Sequence, residues 1–325
     1  MVKVSVIIPA YNVAQFISQC LDCVLANKTT MQIIVVDDRS TDNTREIVQL
    51  YQQKHKNIEL LVQERNGGPG IARNAALLRA HGEYIYFLDA DDVLRWGALD
   101  ELVEIMDVTG VSTLTFKYQL MANESGVLDD MEPRDRSIWN SVLSGRDFTR
   151  VNLDTSGQFL MTINFPWNKI MRRDFCERIK LSFSTCRVNE DILAHWNIYL
   201  NAGDFMVLDR PLVAHRVFPG REQHTNIFDE RRLDVFAALR DADNLFAAMP
   251  DAKAKYYHWF LCFKIDLLQW LFPRLQVQLR DQFLGLLALS FADFDEKCFH
   301  AVYEKMRDTA LQAYRLKYAP HKLVM

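Results

Sequence analysis

Apolar residues in the first part of the chain occur in short runs rich in Val, Ile and aromatic residues, separated by stretches with helical spacing. The runs are too apolar for a sheet with one wet face, which favours strands buried on both sides. We predict strands at Val4–Pro9, Gln32–Asp37, Ile58–Val62 and Tyr84–Asp89. We predict helices at Val13–Ala26, Asp42–Lys54 and Gly70–Ala80. This alternation predicts an α/β fold, a Rossmann-like, mostly parallel sheet with helices on both faces.

The rest of the chain divides at one polar segment and at one change of apolar spacing. Gly126–Arg136 is polar and is predicted as a loop, and Phe205–Leu208 is predicted as a further strand. From Phe228 onward the apolar spacing is helical only. We therefore predict a domain over residues 1–225, with halves at 1–110 and 111–225, and a C-terminal helical region at 226–325.

The C-terminal helical region contains the most apolar stretch of the sequence, Tyr256–Phe272. Lys264 and Asp266 interrupt it, so it falls short of the about 20 apolar residues that a bilayer-spanning helix needs. No transmembrane helix is predicted. The aromatic content of the stretch exceeds what a lone surface helix requires. We expect these side chains to pack on the preceding domain, or to form a homo-oligomer or a membrane-surface contact.

The charge balance argues against nucleic acid as a partner, because 38 basic and 42 acidic residues give a net charge of −4. Among six cysteines only Cys20 and Cys23 have C-x-x-C spacing, and no second pair or nearby histidine completes a zinc site. We expect free thiols in a reducing compartment. The N-terminus lacks the pattern of a secretory leader, so a cytoplasmic location is expected.

Polar residues follow three of the predicted strands at their carboxyl ends, where open parallel sheets bind ligands. The segments are Pro9–Asn12, Asp37–Ser40 and Asp89–Asp92. A helix N-cap is the alternative role for any one of them, and the favoured role for Ser40 and for the nearby Asp42. The three carboxylates within Asp89–Asp92 repel one another unless a cation or protonation relieves the charge. Because Mg²⁺ and Mn²⁺ prefer oxygen ligands, this segment suits either metal.

Four segments, in this order and spacing, resemble the family 2 glycosyltransferases with the GT-A fold. They are Val4–Asn12, Val35–Asp42, Asn66–Asn74 and Gly82–Asp92. The resemblance is dense over residues 3 to about 106. It implies a GT-A domain that moves a sugar from a nucleotide-sugar donor to an acceptor.

The resemblance implies roles for individual residues. Asp38 matches the carboxylate that hydrogen-bonds the nucleobase, and Arg73 matches an arginine that helps to hold the nucleotide. Asp89 matches the aspartate near the ribose, and Asp91 the one that binds the metal bridging the diphosphate. The implied nucleotide-sugar-binding residues are Pro9, Ala10, Tyr11, Asp38, Gly68, Arg73, Asp89 and Ala90. Glycines 67, 68 and 70 also suit flexible turns that let the backbone approach a ligand, with an ordinary loop as the alternative.

The resemblance weakens after residue 110 and returns at Asn164–Lys169 and Val188–Asp191. Similar motifs occur in bacterial members that act on surface polysaccharides. We predict acceptor-binding roles for Trp167, Asn168 and Lys169. Trp167 suits a stacking platform for a sugar, and a core position is the alternative.

The resemblance also implies a general base at Asp191. An inverting transfer needs one carboxylate beside the acceptor hydroxyl to take its proton. We predict that Asp191 has this role, with Glu190 as the alternative, although both residues would also suit the first turn of a surface helix.

His215 stands where relatives often carry a phosphate-contacting or metal-ligating residue. We predict His215 as a metal ligand together with Asp91. The following segment, Phe218–Thr225, resembles a mobile loop that closes over the donor.

The predicted reaction is inverting, Mn²⁺- or Mg²⁺-dependent transfer from a UDP-sugar to a glycan or lipid-linked glycan. The resemblance implies assembly of capsule, lipopolysaccharide or another bacterial surface glycan at the inner face of the cytoplasmic membrane. A sugar-nucleotidyltransferase would need a Gly-rich loop after the first strand, where Pro9–Asn12 stands instead. The other alternative is a catalytically silent glycan-binding or scaffold protein with the same fold.

Overall fold

The computed structural model describes residues 2–121, 128–217 and 228–324. The first part of the chain alternates strands and helices as the apolar pattern predicts. The strands are β1 (Val4–Ala10), β2 (Met31–Asp37), β3 (Ile58–Val62) and β4 (Tyr84–Phe87). The helices are α1 (Ile17–Leu25), α2 (Thr44–Lys54) and α3 (Pro69–Leu77). β1, β2 and β4 are buried almost throughout, which explains their continuous apolar runs.

All three predicted helices begin at residues other than those predicted, and α2 begins at Thr44 and not at Asp42. α1 begins at Ile17 and not at Val13, because polar side chains near the start of α2 bind the backbone after β1. Thr44 Oγ1 accepts from the N–H of Val13 at 2.9 Å, and the Asp42 carboxylate accepts from the next N–H at 3.0 Å. α3 begins at Pro69, because the fixed φ of proline suits the first helical position.

The second part of the chain completes the sheet. Its strands are β5 (Val93–Leu94), β6 (Thr113–Met121), β7 (Leu128–Asp129), β8 (Phe148–Val151), β9 (Lys169–Arg172) and β10 (Phe205–Arg216). Its α-helices are α4 (Ala98–Thr109), α5 (Pro133–Leu143), α6 (Leu153–Ser156), α7 (Arg173–Arg178) and α8 (Asp191–Ala202).

The structure corrects two sequence predictions in this part. Gly126–Arg136 is not all loop, because β7 pairs with β6 and α5 begins at Pro133; residues 126 and 127 lie outside the described residues. The strand predicted at Phe205–Leu208 continues to Arg216. Its pairing with β6 is irregular around Pro211, so the alternation of apolar and polar residues is interrupted there.

The described strands form one sheet in the order β3-β2-β1-β4-β9-β6-β10-β5, with β7 beside β6 and β8 beside β10. β3, β2, β1 and β4 are parallel neighbours, whereas β9 runs antiparallel to both β4 and β6. The chain leaves β1 toward β2 on one side and later returns to β4 on its other side. This reversal of strand order opens a crevice at the carboxyl ends of β1 and β4, where such sheets bind ligands.

The C-terminal helical region is present as predicted. It consists of α9 (Val235–Ala248), α10 (Pro250–Leu271), α11 (Arg280–Ser290), α12 (Glu296–Tyr303) and α13 (Arg307–Tyr318). Trp196 on α8 contacts Phe246, Phe260 and Phe263, with ring centroids 5.2–5.7 Å apart. These helices therefore continue the apolar core of the α/β part. Among the described helices, none combines the length and the apolar content of a membrane span.

Candidate active site

The carboxyl ends of β1 and β4 border a cavity of about 480 Å³. Residues from the segment before α8, from the end of β10 and from the start of the C-terminal region complete its wall. The predicted site residues that line the cavity are Pro9, Ala10, Tyr11, Asp38, Gly68, Arg73, Asp89, Ala90, Asp91, Glu190, Asp191 and His215. The structure thus brings the predicted donor residues and the predicted base to one cavity.

A cluster of carboxylates follows β4 at the cavity wall. Ligand oxygens of Asp89, Asp91 and Asp92 lie within 4.8 Å of one another. Asp89 and Asp91 are half-buried and line the cavity, whereas Asp92 is fully buried behind them. Closely spaced carboxylate oxygens suit a hard divalent cation, so the donor set fits the predicted Mn²⁺ or Mg²⁺.

Asp92 holds His215 in place at the end of β10. Both carboxylate oxygens of Asp92 lie 3.0 Å from His215 Nδ1, and one also accepts from the N–H of Arg216 at 3.0 Å. Burial raises the pKa of Asp92 to about 7, an effect that His215 opposes. Burial lowers the pKa of His215, but the neighbouring Asp92 raises it to about 9. With Nδ1 bound to Asp92, Nε2 is the ring nitrogen that a metal would use.

Asp38, the predicted nucleobase ligand, contacts the Gly-rich loop that precedes α3. Its two carboxylate oxygens accept from the N–H groups of Gly67 and Gly68 at 2.8 and 2.7 Å, and the residue is only 3% exposed. Gly68 has φ of +85°, a conformation that glycine adopts without strain. The sequence did not indicate that Asp38 fixes this loop.

Arg73 connects the donor side of the cavity to the base side. Its Nη2 donates to Asp89 Oδ1 at 2.7 Å, and its Nη1 donates to Glu190 Oε1 at 2.7 Å. The residue is 3% exposed. Burial alone would lower the pKa of Arg73, but Asp89 and Glu190 raise it above its ordinary value. Arg73 is therefore a fixed cation between two carboxylates.

Asp191 is the first residue of α8, and Glu190 is the residue before the helix. Glu190 is buried and paired with Arg73, whereas Asp191 is half-buried at the cavity wall. Burial and the charge of Glu190 raise the pKa of Asp191 to about 8, and the cations Arg73 and Lys169 oppose this rise. The raised pKa favours proton binding by the Asp191 carboxylate at the cavity wall.

The structure corrects the placement of Trp167, Asn168 and Lys169. None of them lines the cavity, and their exposed fractions are 0, 2 and 1%. Trp167 instead packs in a cluster of three rings, with its centroid 4.4 Å from Phe165 and 4.9 Å from His215, and these two rings lie 5.0 Å from each other.

Lys169 lies behind the site with its amine buried. Its Nζ donates to Asn168 Oδ1 at 2.9 Å and to the Phe165 carbonyl. Burial lowers the pKa of Lys169 to about 7, although Asp191 favours its charged form. The three residues thus support the wall behind His215 and Asp191, while Phe165 and Pro166 face the cavity.

Three arginines that the sequence reasoning missed also line the cavity: Arg187, Arg231 and Arg232. Arg187 binds both oxygens of Asp234, with its Nε 2.8 Å from Oδ2 and its Nη2 3.1 Å from Oδ1. Arg232 is buried and donates to Asn189 Oδ1 at 3.2 Å. Their sequence neighbours do not distinguish them from surface arginines, so only the tertiary contacts identify them. The loop predicted at 218–225 lies outside the described residues.

Two curated relatives resemble the chain over part of its length. The uncharacterized glycosyltransferase YibD of Escherichia coli is 29% identical over 201 residues, which are 62% of this chain and 57% of YibD. The poly(ribitol-phosphate) beta-glucosyltransferase of Bacillus spizizenii is 44% identical over 105 residues, 29% of this chain and 16% of that enzyme. The chain thus matches less than two thirds of the length of either relative.

The crystal structure of S. aureus TarS 1-349 in complex with UDP-GlcNAc shares the fold. Its TM-score is 0.72 at 23% identity, over 98% of this chain and 92% of that one. The GT-A fold and the C-terminal helical region are thereby confirmed. The sequence model of Glycosyl transferase family 2 matches residues 5–180. This match includes both carboxylate segments after the parallel strands and spans more than half of the chain, which therefore belongs to glycosyl transferase family 2.

Proposed function

We propose that the protein transfers a sugar from a UDP-sugar to an acceptor hydroxyl, with inversion at the sugar carbon and with Mn²⁺ or Mg²⁺ as cofactor. One observation carries the proposal. The acidic cluster at Asp89 and Asp91 and the carboxylate of Asp191 border the same cavity. The UDP-GlcNAc bound by TarS, which has the same fold, supports a UDP-sugar as donor.

The residues suited to hold the metal are Asp91 and Asp89 of the acidic cluster. His215 is not a member of that cluster, and we propose it as a further ligand through Nε2, the ring nitrogen not bound to Asp92. A bound divalent cation would neutralise charge on the departing diphosphate. Asp92 keeps the His215 ring in a fixed orientation through Nδ1. The chain itself supplies the walls that orient the nucleotide, which are the backbone of residues 9–11 and the loop held by Asp38.

Asp191 is the proposed general base. Glu190 is already paired with Arg73 at 2.7 Å, so Asp191 is better placed to take a proton from an acceptor in the cavity. The oxygen of the acceptor then attacks the sugar carbon from the face opposite the departing UDP, and the proton passes to the Asp191 carboxylate. A single displacement of this kind inverts the configuration at that carbon.

The proposed acceptor is a glycan or a lipid-linked glycan in the synthesis of a bacterial surface polysaccharide, at the inner face of the cytoplasmic membrane. The names of relatives such as the poly(ribitol-phosphate) beta-glucosyltransferase support this class of acceptor. An exposed surface of α13 supports the membrane setting. Leu311, Tyr314 and Tyr318 are 40, 47 and 67% exposed on this helix.

Replacement of Asp91 by Asn tests the proposal. A neutral amide is a poor ligand for a divalent cation, so the variant should lose Mn²⁺-supported UDP-sugar binding and transfer. Calorimetry with and without Mn²⁺ and a transfer assay give the two readouts, and Asp251→Asn on the exposed surface is the matched control. Full activity of Asp91→Asn in chelated buffer resupplied with Mn²⁺ would contradict the metal assignment. A wild type that binds UDP-sugars but neither hydrolyses nor transfers them would favour a silent binding protein.

A further inference from the structure

One face of helix α3 holds the segment that leads to the proposed base. Gly70, Arg73 and Asn74 are spaced i, i+3 and i+4, so they lie on the same side of the helix. All three contact the segment 183–190, which ends where α8 begins at Asp191. We call these three residues the α3 clamp.

Asn74 binds the beginning of this segment through two hydrogen bonds. Its Nδ2 donates to the carbonyl of Phe183 at 2.9 Å, and its Oδ1 accepts from the N–H of the same residue at 2.8 Å. The side-chain amide of Asn74 therefore binds both the C=O and the N–H of Phe183. A side chain that binds both the N–H and the C=O of one residue fixes the position and the orientation of that residue's backbone.

Gly70 lets the helix and the segment approach closely. A Cβ at Gly70 would lie 2.3 Å from the carbonyl oxygen of Ser184 and 2.9 Å from Glu190 Cγ. From the sequence alone, this glycine suits a flexible turn. The structure places it within α3, and the reason for glycine is the space that the segment occupies.

Arg73 extends the clamp to the donor side of the cavity. It binds Glu190 and Asp89 at 2.7 Å each, and its guanidinium lies 5.2 Å from the centre of the Phe183 ring. One buried side chain therefore sets the separation between the residue beside the base and the acidic cluster after β4. Removal of Arg73 would leave two partly desolvated carboxylates without this cation.

The other side of the segment is held by the C-terminal region. Ser184 Oγ donates to Asp241 Oδ2 at 2.7 Å, and Arg187 binds Asp234. The segment is therefore held between α3 on one side and the C-terminal region on the other. Its position relative to the donor side of the cavity is set by the contacts with the clamp residues. This arrangement makes the position of Asp191 dependent on α3.

We propose that Arg73 and Asn74 are positioning residues that fix Asp191 relative to the donor site. Arg73 acts through Glu190 and Asp89 rather than as a ligand of the nucleotide. The proposal rests on the proposed function, because it assumes that Asp191 receives the proton of the acceptor. Correct placement of a reacting group matters because a misplacement of about 1 Å can reduce a rate by about 10²-fold.

Amide hydrogen exchange tests the clamp without any activity. Arg73→Met and Asn74→Ala each remove one set of contacts. The matched controls are Arg79→Met, which alters an exposed arginine 3.1 Å from Glu59, and Asn57→Ala, which alters a donor to the Met31 carbonyl. We expect faster exchange over residues 183–191 in the clamp variants and not in the controls. Unchanged exchange there in both clamp variants contradicts the proposal.

Kinetics separate positioning from nucleotide binding. At saturating donor, we expect kcat for transfer to fall by about 10²-fold in Arg73→Met and by about tenfold in Asn74→Ala. The Kd for UDP should stay within about threefold of the wild type, because a positioning residue acts on the chemical step. Arg73→Lys should recover part of the lost kcat, since it restores the charge between the carboxylates.

Two outcomes would overturn parts of this scheme separately. Loss of UDP affinity in proportion to kcat in Arg73→Met would make Arg73 a nucleotide ligand and contradict the positioning role. Absence of transfer by the wild type would contradict the proposed function, while the exchange result would still decide whether the clamp holds the segment.

Discussion

Asp191 and Glu190 are adjacent carboxylates with different partners. Glu190 is bound to Arg73, and Asp191 lines the cavity beside it. We expect Asp191→Asn to reduce transfer by about 10²-fold or more, the usual range for loss of a general base, with almost unchanged UDP-sugar binding. Glu190→Gln should be milder, because the amide keeps a hydrogen bond to Arg73. An active Asp191→Asn together with an inactive Glu190→Gln would move the base to Glu190.

The raised pKa of Asp191 predicts the direction of the pH dependence. The base must be ionised, and burial with the neighbouring Glu190 raises its pKa to about 8. The ionised fraction therefore increases with pH, and kcat should rise about tenfold per pH unit below that value. Lys169 lowers the pKa of Asp191, so Lys169→Met should move the midpoint of the kcat–pH profile to higher pH. Lys54→Met on the exposed surface is the control, and a flat profile from pH 6 to 9 would exclude Asp191 as the titrating base.

At the scale of elements, α13 presents an unusual outer face. Ala310, Ala313 and Leu316 are buried, whereas Leu311, Tyr314 and Tyr318 are exposed. Residues 305–322 carry five Lys or Arg and one acidic residue, in a chain whose net charge is −4. Exposed tyrosines next to basic residues are typical of surfaces that contact anionic membranes.

Vesicle sedimentation tests this face of α13. We expect the protein to bind phosphatidylglycerol-containing vesicles more tightly than phosphatidylcholine vesicles, and less tightly at high salt. Arg315→Glu should weaken binding by about fivefold or more, from ~1 kcal/mol per basic residue. Tyr314→Ser with Tyr318→Ser should also weaken it, while Val108→Ser, at an 82% exposed position on α4, should not. Concentration-dependent self-association that the tyrosine variants abolish would instead assign the face to a second copy of the chain.

At the scale of the whole molecule, the C-terminal helices stabilise the α/β part. Phe260 of α10 is fully buried against Trp196 of α8, and Arg232 reaches Asn189 at the cavity. Phe260→Ala should lower the free energy of unfolding by about 3–5 kcal/mol, the usual range for a buried phenylalanine. Leu289→Ala, at a 70% exposed position, should change it by less than about 0.5 kcal/mol. Urea denaturation measures the free energy of unfolding of both variants. Equal values for Phe260→Ala and Leu289→Ala would contradict a core shared by the C-terminal helices and the α/β part.

The sequence by itself determined the parallel half of the sheet and the polar side chains at its strand ends. β1, β2 and β4 are buried on both faces, so each leaves a continuous apolar run, whereas β3 at the edge of the described sheet is only half-buried. Polar residues such as Asp38 and Asp89 lie directly after those runs in the sequence. Because parallel strands end at one edge, local position was enough to predict that these side chains border one cavity.

Only the tertiary structure decided which side chains face that cavity and which support it. Trp167 and Lys169 have the residue types of a sugar platform and a ligand, but both are buried, Trp167 against Tyr118 of β6 and Lys169 against Tyr199 of α8. Arg73 bridges Asp89 and Glu190, and these partners lie 16 and 117 residues away in sequence. Apolar periodicity reports burial within one element and carries no information on contacts between distant elements. For this reason the α3 clamp and the role of Asp92 behind His215 became visible only in the folded chain.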